Sequence, residues 1–308
     1  MGNKSFCNLV EVNLQAFNGR YEDLKRAMYV IARANYRQTC VNLDDGVLQR
    51  TWHELNEFLR LTGVGITGIV GWEFSQSADH FKDLKKQAHD GANSMAYELG
   101  LPVSKLINTT KPSGTLSKVM DTTEGCHKPL GRYIFNNINL SIHDPLVNIL
   151  RKANYEVRDN PYDATSVLAT LPVAYESTPF DEVEREGEVL YVNLESAVDQ
   201  LERYKLLMDN YVDHNCSITV SYSPEEVPEI IDWIYDNWDH YVGVSFIYRN
   251  DPTKTAADLG YPYLPQEVVT KSRYDEYVAG LLDIDIDESN SLLELDEDEC
   301  AGGACPVR

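Results

Sequence analysis

The cysteines are the first residues whose type and spacing suggest chemistry. The chain has 308 residues and six cysteines, and it closes on "DEDECAGGACPVR". Cys300 and Cys305 enclose Ala-Gly-Gly-Ala. Gly302 and Gly303 let that short loop bend, so the two sulfurs can meet in a disulfide. Roughly 17 links separate residue 283 from Cys300, giving a flexible-chain span of about 23 Å and a full extension of about 60 Å. Such a tail can carry a dithiol between a buried site and an outside reductant. A nonspecific thiol tail or a metal-scavenging end is the plainer reading, and the spacing alone leaves both open.

A second candidate is "NTTKPSGTLSKV". Here a strand-like run enters Pro112-Ser113-Gly114-Thr115 and then a helical stretch beginning near Leu116. Free N–H groups at a helix start favour anions. Gly114 lets a ligand approach the backbone, Ser113 and Thr115 offer hydroxyls, and Lys111 adds positive charge. The segment suits a phosphate, although the P-loop spacing of nucleotide hydrolases is missing. An ordinary helix cap after a strand fits the same residues. The third candidate is Cys7 in "SFCNLVEVNL". A strand cysteine commonly serves as a small buried hydrophobe, and Cys40, Cys126 and Cys216 receive that reading too. "GCH" at 125–127 offers two adjacent metal-ligand types but no second pair, so no metal site is assigned. No H-E-x-x-H, G-x-S-x-G or G-x-G-x-x-G occurs, and His143 beside Asp144 does not form a dyad.

These residues need elements to position them. "FCNLVEVNL" alternates as a strand, and residues 21–39 carry Leu24, Met28, Ile31 and Ala32 near helical spacing. "TWHELNEFLRLTG" reads as a helix ending at Gly63, "GVGITGIVGW" as a buried segment, and residues 78–100 as a helix stopped by Gly100. "KLINTT", "YIFNNINLSI", "SVLATLPVAY", "SITVSY" and "GVSFIY" read as strands, the last of these closing the series. Asp144-Pro145 starts one helix, residues 193–213 form another, and Ser223 caps a third. Strand and helix alternate, which implies βαβ units on a mostly parallel sheet. The expected domains are a body over residues 1–282 and a flexible acidic tail over 283–308.

Composition sets outer limits. The formal net charge is −22, so there is no basic surplus for general nucleic-acid binding. Much of the acid lies in "DIDIDESNSLLELDEDE", which has no Lys or Arg. No apolar run reaches the roughly 18 residues of a membrane span, and the N-terminal residues lack a signal-peptide pattern. A cytoplasmic location is expected, with cysteines that stay reduced, bind metal or do redox work.

In order, "CNLVEVN", "RLTGVGITGIVGW", "KPSGTLSK", "LERYKLLMDNYVDHNCSITVSYSPEE" and "WDHYVGVSFIYRND" resemble the C-terminal half of class II, adenosylcobalamin-dependent ribonucleotide reductases of the monomeric ribonucleoside-triphosphate type. The resemblance runs from Cys7 to Cys305. It implies the second half of a ten-stranded α/β barrel and thiyl-radical chemistry converting ribonucleoside triphosphates to 2′-deoxy products. By position, Cys7 matches one of two cysteines that reduce the sugar. Ser113, Gly114, Thr115 and Leu116 match the substrate phosphate loop. Cys300 and Cys305 match the pair that re-reduces the active-site disulfide and draws on a thioredoxin-type reductant. The family's radical cysteine and catalytic glutamate are missing before Cys7, and its arginines after the phosphate loop are replaced in "YIFNNINL". The expectation is therefore a split-enzyme piece, active with an N-terminal reductase chain and with adenosylcobalamin bound by the assembled enzyme. The competing expectation is a non-catalytic half-barrel acting as a structural or regulatory partner.

Overall fold

The computed structural model describes residues 4–44 and 46–284. Cys300 and Cys305 lie outside the described residues. The chain divides into two compact units, Met1–Pro129 with Ser177–Pro179 and Leu194–Asn250, and Leu130–Glu176 with Phe180–Asn193 and Asp251–Arg308.

The first unit is built on parallel pairing. β1 (Asn8–Asn13) pairs with β2 (Thr62–Thr67), with Asn8 opposite Thr62 and Asn13 opposite Thr67. Single bridges continue the parallel order, Val64 to Asn108 and Thr110 to Cys216. β8 (Ile218–Tyr222) then pairs in parallel with β9 (Val244–Tyr248). The "KLINTT" strand is thus reduced to bridges at Asn108 and Thr110. Parallel neighbours need crossovers, and helices supply them. α1 (Tyr21–Gln38) and α2 (Arg50–Leu59) join β1 to β2, and α3 (Ala78–Leu99) follows β2. α6 (Ala197–Asn210) precedes β8, and α7 (Val227–Asp236) joins β8 to β9.

The helices form because their apolar residues fall on one stripe. Leu24, Met28, Ala32 and Tyr36 recur every fourth residue along α1 and are fully buried. Phe81, Leu84, Ala88 and Ala92 recur at three- or four-residue steps on α3, and Leu201, Tyr204 and Leu207 at three-residue steps on α6, and all are fully buried. These side chains share one core with Val12, Val64 and Ile66 from the strands. Truncating Leu24 to Ala would cost about 2–5 kcal/mol. Caps fix the helix ends. Gly100 closes α3 in a left-handed conformation, and Ser196 with Asp199 forms a capping box on α6.

The second unit is antiparallel. Its sheet runs β10 (Gln266–Val268), β3 (Tyr133–Ser141), β5 (Ser166–Ala174), β4 (Val157–Asp159). α5 (Pro145–Lys152) begins at Asp144, whose carboxylate accepts the Leu146 N–H at 2.9 Å, with Pro145 in the first turn. α8 (Lys271–Ala279) brings Tyr274 and Tyr277 against Tyr133 and Phe135. β6 (Asp181–Arg185) and β7 (Glu188–Val192) form a hairpin.

Three sequence expectations are corrected. Parallel pairing holds only in the first unit, because β3 and β5 zip antiparallel over nine residue pairs. Among the described residues the last strand is β10, which follows "GVSFIY". The "TWHEL" helix stops at Arg60, which takes the left-handed conformation itself at φ 44°, and Gly63 lies inside β2.

Candidate active site

Alternation along β1 creates the site. Val10 and Val12 point to the helix core, which leaves Cys7, Leu9, Glu11 and Asn13 for the opposite face. Opposite them on β2 stand Gly63 and Gly65. A Cβ at Gly63 would lie 2.3 Å from Leu9 Cδ2 and 3.1 Å from Cys7 Sγ. A Cβ at Gly65 would lie 2.9 Å from the Val10 carbonyl oxygen. The two glycines make a trough that the side chains of β1 overlie. Cys7 is half-buried there, and burial pushes its thiol up to about 11. At neutral pH it is therefore a protonated thiol.

The segment 111–116 reaches this face through Glu11. The Ser113 hydroxyl donates to Glu11 Oε2 at 2.6 Å, and Lys111 Nζ lies 3.3 Å from the same oxygen. The Glu11 side chain is only 1% exposed, and its Oε1 has no partner among the described residues. Ser113 is buried and sits at φ 60°, a left-handed conformation that a non-glycine residue rarely takes. Its hydrogen bond to Glu11 offsets the strain. Gly114, Thr115 and Leu116 are exposed. Their backbone N–H groups meet no acceptor among the described residues, since the turn closes through Ser117 to Ser113 O and Lys118 to Thr115 O. A Cβ added at Gly114 would meet nothing within 4 Å.

This geometry divides the predicted loop. Ser113 anchors, while Gly114–Leu116 offer donors. Two details differ from the sequence expectation. The helix behind the loop, α4 (Leu116–Val119), has four residues, so what the loop offers an anion is individual N–H groups rather than a helix dipole. The Lys111 charge is offset by Glu11. Glu11 was missed by sequence reasoning, although its place two strand positions from Leu9 and four from Cys7 is a usable signal.

Asp213 was also missed, and it positions the strand beside β2. Its carboxylate accepts the Ile107 and Asn108 N–H groups, both at 3.1 Å, and meets His89 at 2.7 Å and Lys85 at 2.8 Å. Burial would raise its pKa, but the bonds from His89 and Lys85 outweigh this and hold the carboxyl well below the usual range.

Cys126 and Cys216 are buried as expected, but Cys40 is exposed, which corrects its reading as a core residue. No cluster of three or more metal-ligating side chains occurs among the described residues. None of the described helices is long and apolar enough to cross a membrane.

No protein-family profile matches the chain. The chain is similar over its whole length to the adenosylcobalamin-dependent ribonucleoside-triphosphate reductase of Lactobacillus helveticus, at 25% identity and over 44% of that protein. A probable enzyme of the same name from Dictyostelium discoideum is 26% identical over 83% of this chain and 33% of its own length. A putative one from Mycobacterium phage D29 is 24% identical over 98% of this chain. Among solved structures, a B12-dependent class II ribonucleotide reductase superposes on 96% of the chain with a TM-score of 0.76 at 18% identity. The resemblance to class II reductases therefore extends along the whole chain, and the mixed α/β fold is theirs. The chain spans about 44% of the length of the Lactobacillus helveticus relative.

Proposed function

We propose that this chain is a working part of an adenosylcobalamin-dependent ribonucleoside-triphosphate reductase. In this reading it supplies one reducing cysteine, the triphosphate loop and the tail dithiol. One observation carries the proposal: Cys7 and the Ser113 loop share one face of a sheet and are tied together by Glu11. The chain's similarity to reductases over its full length supports it.

The chain's own residues then act as follows. The N–H groups of Gly114, Thr115 and Leu116 hold phosphate oxygens, and Ser113 is fixed by Glu11. Gly63 lets Cys7 and Leu9 lie close against β2, and the sugar approaches Cys7 on that face. Forming a 2′-deoxy product takes two electrons, and the 2′-hydroxyl leaves as water. Cys7, held as a thiol by burial, gives one hydrogen equivalent, and a second thiol from the remainder of the reductase gives the other. The two become a disulfide, which Cys300 and Cys305 reduce by thiol–disulfide exchange before a thioredoxin-type protein restores the tail.

Adenosylcobalamin supplies radical initiation when bound by the assembled enzyme. Six of the seven imidazoles, those of His53, His80, His89, His127, His214 and His240, are engaged within the chain, and His143 stands outside any cluster of three or more metal-ligating side chains among the described residues. In this reading the radical cysteine and the cobalamin contacts belong to the remainder of the reductase, carried on the same or a second polypeptide.

The test is reductase assay of the chain with that remainder, adenosylcobalamin and a ribonucleoside triphosphate. Deoxynucleotide formation that Cys7→Ser abolishes supports the reading. Nucleotide binding without turnover under any reductant would favour the non-catalytic half-barrel.

A further inference from the structure

The reading above leaves one reactive cluster unused. Cys126 and Cys216 are 90 residues apart in sequence, fully buried, and 3.8 Å apart at sulfur. They do not lie on the Cys7 trough. Cys216 is laddered to the strand that runs into the phosphate loop: Thr110 N–H donates to Asn215 O at 3.2 Å, and Ser217 N–H to Thr110 O at 2.8 Å. Cys126 ends that same loop. Its neighbour Gly125 donates to Thr67 Oγ1 at 2.8 Å, and a Cβ there would meet the Lys111 carbonyl oxygen at 2.4 Å. The loop therefore leaves from Lys111 and returns against Lys111, and the two sulfurs sit at its base.

We propose that Cys126 and Cys216 are an oxidisable pair, closing a disulfide that staples the base of the Lys111–Cys126 loop. A disulfide has sulfurs about 2.0 Å apart, so the pair must close by about 1.8 Å. The environment favours attack by Cys126. The Cys216 S–H can donate to the Cys126 sulfur, and the Arg203 guanidinium donates to the Cys126 carbonyl at 2.9 Å. These contacts ease the first deprotonation of the pair, and Cys216 correspondingly keeps its proton.

The oxidant is a small peroxide, which can reach a site closed to a protein. The Cys126 thiolate attacks one peroxide oxygen, the O–O bond breaks, and a sulfenic acid and hydroxide form. The Cys216 sulfur then attacks the sulfenic sulfur, its proton leaves with the departing oxygen, and water is released. In sum two thiols and one hydrogen peroxide give one disulfide and two waters. A dithiol reverses the step.

The experiment treats the full chain with hydrogen peroxide, blocks remaining thiols, and maps peptides without reduction. Mass alone does not suffice, because Cys300 and Cys305 can form their own bridge. The expected result is a cross-linked peptide joining Cys126 to Cys216, loss of both as alkylatable thiols, and recovery of both with dithiothreitol. Amide exchange across residues 113–117 should slow in the oxidised form. Cys216→Ala should remove the cross-link, and Cys126→Ala provides a second, independent loss. Recovery of both residues as free thiols from native protein whose exposed Cys40 is already oxidised would overturn the proposal. So would a cross-link that forms only in denaturant. Unchanged exchange at 113–117 would overturn the stapling of the loop.

Discussion

The parallel unit and the antiparallel unit solve the burial of a sheet differently. Parallel sheets are ordinarily covered on both faces. Here helices α1, α3 and α6 share a core with one face of the parallel set. The other carries Cys7, a half-exposed Leu9 and the glycine trough. Its β9 leaves Phe246, Ile247 and Tyr248 exposed. In the antiparallel unit, polar groups find partners inside the sheet instead. Asn137 accepts from Thr170 Oγ1 at 2.8 Å and from Arg158 at 3.2 Å, and donates to the Leu264 carbonyl at 2.7 Å. Under the proposed function, the chemistry falls in the parallel unit and the antiparallel unit serves as scaffold.

Substitutions can break or sharpen this contrast. The largest effect is expected at Cys7→Ser in the reconstituted reductase, where product formation should vanish with every reductant. The thiol should also resist alkylation at pH 8, since burial pushes it up to about 11, and react only as the pH approaches that value. A pH profile of iodoacetamide labelling by peptide mapping checks this. Brisk labelling near pH 8 would mean the trough is open.

Next comes Asp213→Asn. Removing one partner of a buried charge cluster typically costs about 3–5 kcal/mol, and the 12% exposure of Asp213 argues for the lower part of that range. Its folded-state pKa is depressed. Its stabilisation is therefore complete above the unfolded carboxylate value of about 3.9 and is lost as pH falls through the folded one. Denaturant melts at pH 7 and pH 3 should show the variant's deficit shrinking at low pH. An equal deficit at both would contradict the assigned role.

Asn137→Ala should destabilise the antiparallel sheet by about 1–3 kcal/mol. Its expected mark on the turnover of folded enzyme is small, which separates scaffold from site. A large fall in kcat at full folding would erase the distinction drawn above.

The smallest effects are expected at the loop. Glu11→Gln keeps a partner for Ser113 and frees the Lys111 charge that Glu11 offsets, so the Michaelis constant for the triphosphate should fall with kcat little changed. Gly114→Val should instead raise it without loss of stability, because the space beside Gly114 is open. Nucleotide titration and a thermal melt distinguish these outcomes.

The candidate site was legible mainly through the resemblance. "KPSGTLSK" and Cys7 drew notice by residue type, but locally they fit an ordinary cap and a buried strand cysteine equally well. For Glu11, strand alternation with Cys7 and Leu9 gives its face, but its partner Ser113 is 102 residues away and no local pattern links the two. The glycine at 63 was read as a helix stop because Arg60 is an unusual residue for the left-handed end it makes. Strand–helix alternation suggested parallel pairing throughout. It cannot show that β3 and β5 are joined antiparallel across α5 and β4, since strand direction depends on how the connection returns. The β6–β7 hairpin went unread because its turn is Glu186-Gly187, both at positive φ, rather than the usual Asn-Gly.

The central claim is that Cys7 works at the sugar while the closing cysteines only reset it. A single-turnover product count tests this most directly. The reconstituted enzyme, fully reduced and then freed of reductant, is mixed with a ribonucleoside triphosphate. Product per active site is counted for the parent, for Cys7→Ser and for the Cys300→Ser/Cys305→Ser double variant. The account predicts no product from Cys7→Ser. It predicts a full first turnover from the double variant, whose later turnovers stop with a thioredoxin-type protein and resume with dithiothreitol. Product from Cys7→Ser, or sustained thioredoxin-driven turnover by the double variant, would contradict it.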